Sequence, residues 1–140
     1  MKTAYFEIKG KIRGKARPRV TKQGHAYTPS VTADYEKLVQ LAYKRQCGNI
    51  FFDKAAIPSI EIHIKALFEI PKSYTHAKRV EAMTNIIRPS KKPDVDNIAK
   101  IICDALNGVA YSDDSQIVNM RVDKLYTIDE ERVQVWIKNI

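Results

Sequence analysis

The sequence predicts an α+β domain built as a two-layer sandwich, with a mixed β-sheet and helices packed on one face. Three observations lead there: segments of period two and segments of period near 3.6 both occur, they do not alternate in regular βαβ order, and no internal repeat or low-complexity tract interrupts them. At 140 residues, 44% of them hydrophobic, the chain suits a single domain over 1–140 with a true core.

The elements follow in chain order. Residues near Ala4 to Lys9 suggest a first strand, and Gly10 to Gly14 turns into a basic hairpin. Its expected arms are Arg17 to Thr21 and His25 to Thr28, with Lys22-Gln23-Gly24 between them and Pro18 confining its arm to an edge. Thr28-Pro29-Ser30 introduces a helix from about Thr32 to Arg45, whose Val31, Tyr35, Leu38, Val39, Ala42 and Tyr43 form an apolar stripe assigned to the core. Ile60 to Lys65 alternates cleanly, a half-buried strand with His63 on the polar face, exposed rather than catalytic.

From Pro71 to Pro93 the chain is basic, with few apolar anchors and a short helix expected near Thr75 to Thr84. Connections of this length are usually functional or mobile, so the segment, whose basic residues directly precede the acidic run, reads as a ligand-contacting flap, or as a solvated insertion. Ile117 to Leu125 and Arg132 to Lys138 give two further strands; Val133, Val135 and Ile137 face one way while Gln134, Trp136 and Lys138 face the other. Trp136 covers a helix or sits in a dimer interface, and the two placements stay open.

The acidic residues gather between Lys91 and Asp114. Pro93 disfavours helix at Lys92, so Asp94 and Asp96 sit at a junction just before a helix. From Asp96 to Asn107, the residues Ile98, Ile101, Ile102, Ala105 and Leu106 mark the apolar face; Asp96, Lys100, Asp104 and Asn107 share the opposite stripe. Asn107-Gly108 suits a left-handed C-terminal turn.

One aspartate at such a junction is explained as a helix cap. A second one two residues away adds like-charge repulsion unless a cation is near. Asp113-Asp114 reads equally well as an acidic turn before a strand. Lys100 offers either transition-state charge stabilisation or an i, i+4 salt bridge to Asp96 or Asp104. Charge balance favours chemistry. Lys and Arg total 24 against 16 Asp and Glu, a net charge of +8, which suits a polyanion bridged to carboxylates by a hard cation, Mg²⁺ or Mn²⁺.

Cys47 and Cys103 lie far apart and outside any C-x-x-C spacing, so neither a zinc site nor a disulfide is indicated; reduced thiols in a cytoplasmic protein are the simplest account. Cys103 reads as a small filler. No apolar run approaches membrane-spanning length.

The run Lys92-Pro93-Asp94-Val95-Asp96-Asn97-Ile98-Ala99-Lys100, then Asp104-Ala105-Leu106-Asn107-Gly108, then Asp113-Asp114-Ser115-Gln116-Ile117-Val118, resembles the signature of RusA-type Holliday junction resolvases in order and spacing. Lys15-Ala16-Arg17-Pro18-Arg19-Val20 with Ala26-Tyr27-Thr28-Pro29 is similar to the opening of phage and prophage members. The resemblance implies a homodimeric, magnesium-dependent endonuclease that nicks four-way DNA junctions symmetrically. It places the catalytic, metal-holding aspartates at Asp94, Asp96 and Asp114 and the catalytic lysine at Lys100. Asp113, Asp104 and Asn97 also match the motif, with supporting roles around the metal ligands. Candidate DNA contacts, on charge, are Lys15, Arg17, Arg19, Lys78, Arg79, Arg88, Lys91 and Lys92, and Lys22 in the hairpin loop. The alternative is a non-catalytic basic nucleic-acid-binding protein whose aspartates cap a helix.

Overall fold

The computed structural model describes residues 1–140. In chain order it has β1 (Thr3–Lys9), β2 (Arg19–Val20), β3 (Ala26–Tyr27), α1 (Ser30–Cys47), β4 (Ile60–Glu69), α2 (His76–Met83), α3 (Val95–Leu106), a 3-10 turn at Asp114–Gln116, β5 (Ile117–Thr127) and β6 (Arg132–Asn139). Four strands make a mixed sheet in the order β1-β6-β4-β5, with helices on one side, as expected. β6 runs antiparallel to both β1 and β4, and β5 runs parallel to β4. A parallel pair requires a crossover connection rather than a tight turn, and this one carries α2, α3 and the acidic motif.

Side-chain alternation assigns the two faces. Phe6 and Ile8 of β1, Ile60, Ile62, Ile64, Ala66 and Phe68 of β4, and Val133, Val135 and Ile137 of β6 point into one core with the helices. α3 presents Ile98, Ile101, Ile102, Ala105 and Leu106 to it, all essentially inaccessible. On the open face, Trp136 lies between Tyr5 and His63, with ring centroids at 4.9 and 5.2 Å, and Lys65 stands over its ring at 5.4 Å. No helix covers Trp136.

The apolar stripe of α1 is rotated from expectation. Thr32, Tyr35, Val39, Tyr43 and Cys47 are buried, while Val31 and Leu38 are about half exposed at 52% and 44%. The helix rests on β1 and α3 along its four-residue row, and Leu38 falls on the flank facing Lys11 and Arg13, where no further element covers it. The basic hairpin is also shorter than expected: only Arg19 with Tyr27 and Val20 with Ala26 pair. Pro18 supplies no amide to lengthen that ladder. β4 outruns its alternating stretch because it is hydrogen-bonded on both edges, and Ala66, Leu67 and Phe68 are all buried.

The 71–93 segment is anchored along β5. Tyr74 meets Tyr126 hydroxyl to hydroxyl at 3.0 Å, Ala82 is fully buried, and Thr75 caps α2 by accepting the Lys78 amide.

Candidate active site

Asp94 occupies the N-cap position before α3, and the expected cap bond is missing. Asp94 has the extended backbone of an N-cap, φ −72° and ψ 158°, but its side chain accepts no amide of the helix. Asp96 lies in the first turn, exposed, where the helix dipole favours its charge. Two solvent-facing carboxylates with no protein partner therefore stand at one helix start. The loop before them is tied down: Lys124 Nζ donates to the Lys91 carbonyl, and the Lys91 and Lys124 ammonium groups lie 5.6 and 5.4 Å from the Phe68 ring. Burial holds the Lys124 ammonium below its usual pKa against the opposing charge of Asp94.

The second acidic pair divides its work. Asp113 caps the 3-10 turn, accepting the Ser115 amide at 3.0 Å, while its own amide donates to Gln116 Oε1 at 3.0 Å. The Ser115 hydroxyl first, and its amide second, hold the Asp113 carboxyl below its ordinary pKa. Asp114 keeps its carboxylate free of such a role; its backbone amide donates to Asn107 Oδ1 at 2.8 Å. Asn107 closes the far end of α3, about 16 Å along the helix from Asp96 at 1.5 Å per residue. No group of three carboxylate, imidazole or thiol side chains able to hold a metal forms within the chain.

The donor chemistry of Asp94 and Asp96 thus suits a hard divalent cation, and Asp114 does not complete a group of three with them. Lys100 takes the salt-bridge option, 3.4 Å from Asp104 and 62% exposed. An exposed pair of this kind holds it by a few tenths of a kcal/mol, so the ammonium is readily released. Asn97 is fixed through its backbone, its carbonyl accepting the Lys15 amide at 3.0 Å.

Among the candidate DNA contacts, Lys15 lines the cleft but is engaged within the protein. Its ammonium, largely covered, is held by Glu36 at 2.9 Å and Asp104 at 3.3 Å, so it ties the N-terminal segment to α1 and α3. Arg88 leans toward Asp123 at 3.8 Å, Arg79 reaches the Pro71 carbonyl at 3.4 Å, and Lys78 covers the Tyr74 ring at 4.2 Å. Arg17, Arg19 and Lys92 are exposed without an ion pair. Arg19, Lys91 and Lys92 line a cleft of about 610 Å³ that also takes in Asp94, Lys11 and Arg13. Charge counting passed over Lys11 and Arg13, although both lie in the Gly10 to Gly14 stretch read as a turn.

The structure is a basic α+β fold in which the free Asp94 carboxylate lines a cationic cleft and Asp96 stands close by in the first turn of α3. The model of the family Endodeoxyribonuclease RusA matches residues 9–138, and the chain belongs to that family. It is also 40% identical over 83 residues to the uncharacterized protein YqaN of Bacillus subtilis (strain 168), a match spanning 58% of each chain.

Proposed function

We propose that this protein is a divalent-metal-dependent endonuclease that resolves four-way DNA junctions by paired nicks. The observation carrying the reading is the pair Asp94 and Asp96, presented unpartnered at the start of α3 beside a cleft rich in cations. A helix cap would have consumed one of these carboxylates, and the absence of that bond weighs against the non-catalytic alternative. A Mg²⁺ or Mn²⁺ ion bound there would neutralise the scissile phosphate and make water a competent nucleophile. Asp94 and Asp96 hold and orient, the Lys91 to Pro93 loop fixes their approach, and Lys100, freed from Asp104, offsets charge developing on the phosphate.

The tie of the Asp114 backbone to Asn107, at the opposite end of α3 from Asp96, favours a site shared between copies. In that arrangement a homodimer joins Asp114 of one copy to Asp94 and Asp96 of the other and carries two such sites, as paired cuts in a two-fold junction require.

Incubation of the purified protein with a synthetic four-way junction and Mg²⁺ is expected to yield paired, ligatable nicks, and chelation to stop them. Asp94→Ala is expected to abolish nicking yet change stability by less than about 0.5 kcal/mol, since no cap bond is lost. Nicking that survives in Asp94→Ala and Asp96→Asn would refute the mechanism.

A further inference from the structure

The segment leaving β1 is an extended run pinned at successive points. Gly10 donates to the Glu131 carbonyl at 3.0 Å, Ile12 to Glu131 Oε2 at 3.0 Å, Lys15 to the Asn97 carbonyl at 3.0 Å, and Ala16 to Thr32 Oγ1 at 3.4 Å. Glu131 Oε1 also accepts the Glu69 amide at 3.1 Å, so both oxygens of that carboxylate are engaged by backbone. Ile12 is buried and Gly14 lies against Pro93 and Asn97; a Cβ at Gly14 would come within 2.7 Å of the Pro93 Cβ. Lys11 and Arg13, set between these anchors, both line the cleft. Neither forms an ion pair, nor do Arg19, Lys91 or Lys92 on the walls of the same cleft. Of the two acidic residues lining it, Glu131 is engaged by backbone amides and Asp94 marks the site's edge.

We propose that Lys11 and Arg13, with Arg19, Lys91 and Lys92, form a preformed seat for the phosphodiester backbone of the DNA strand led to Asp94. The proposal rests on the nuclease reading and assigns the strand its path. Five uncompensated cations round one cleft complement a polyanion of regular charge spacing, and their pinned backbone lowers the ordering cost of binding. An apolar peptide or a neutral ligand gains nothing from such a lining. Phosphate contacts of this type position the strand without reading its bases.

The test is the salt dependence of binding to an immobile four-way junction, followed by fluorescence anisotropy without divalent cation. Lys11→Gln combined with Arg13→Gln is expected to make the slope of log affinity against log salt shallower by about two. Lys92→Gln alone is expected to remove about one. Lys44→Gln with Arg45→Gln, about 18 Å further along α1 than Thr32, is expected to leave the slope unchanged. Wild-type slopes in the Lys11/Arg13 and Lys92 variants, alongside a wild-type protein that binds and nicks, would overturn the seat and leave the nuclease reading standing. A wild-type protein that binds the junction and never nicks it would overturn the nuclease reading, while the slopes still judge the seat. Failure of the wild type to bind DNA at all would overturn both.

Discussion

His63, Arg121 and Arg88 converge on the Asp123 carboxylate at 2.9, 2.9 and 3.8 Å. The hydrogen bond from His63, ahead of those from Arg121, holds the Asp123 pKa below its ordinary value although burial opposes it. In the unfolded chain Asp123 titrates near 3.9, so between the depressed folded pKa and about 3.9 the unfolded state binds more protons and stability rises with pH. The contribution is complete above that range and lost as pH falls through the folded value. Asp123→Asn is therefore expected to flatten the acid limb of the stability curve below about pH 4, measured by urea unfolding at fixed salt. His63 was legible as a polar-face residue, but not as a partner of Asp123, because that pairing depends on which strand lies beside β4. Gln116 stands in the motif run, but its role was not legible, because it depends on contacts with the distant segment after α1. It is fully buried, donates to the Phe52 and Ile57 carbonyls at 2.9 Å each, and so fixes the turn that carries Asp114.

Elements whose boundaries are written in local chemistry matched expectation best. α3 was expected from Asp96 to Asn107 and runs Val95–Leu106, bounded by Pro93 and by Gly108 with φ +74°. The rotated stripe of α1 and the shortened hairpin depend instead on neighbours that no single segment specifies. What local pattern did not convey is that Gly14 must be bare, since its own backbone needs no left-handed conformation and the crowding comes from Pro93 and Asn97 across the fold. Gly14→Ala is expected to cost about 1 to 3 kcal/mol by forcing that contact apart. Because the displaced atoms adjoin Asp94, junction nicking by the folded variant is expected to fall by more than its DNA affinity. Thermal unfolding, anisotropy and nicking rates on one preparation check all three.

At the scale of the molecule, Asp94 and Asp96 stand at the start of α3 while Asp114 lies in the 3-10 turn tied to Asn107 at its end, and a site shared between copies makes a distinctive prediction. Asp96→Asn and Asp114→Asn, each inactive alone, are expected to regain single-strand nicking when co-expressed and purified as a mixed dimer. One of its sites would combine wild-type residues from both copies, while the other would hold both substitutions. Sites built within single chains would leave the mixed dimer inert. The connectivity has a further effect. β5 and β6 follow one another in the chain yet are separated by β4, so the sheet closes only through contacts of long sequence separation, a topology expected to fold more slowly than a hairpin meander.

Trp136 is the chain's one tryptophan, and it stands on the sheet face that carries no helix, whereas the cleft opens on the side of α1 and α3. The protein therefore contains a built-in optical gauge that distinguishes its two sides. Emission moving to shorter wavelength on association would report a subunit laid over the open strands, and an unchanged spectrum on titration with nucleic acid would place that ligand on the other side.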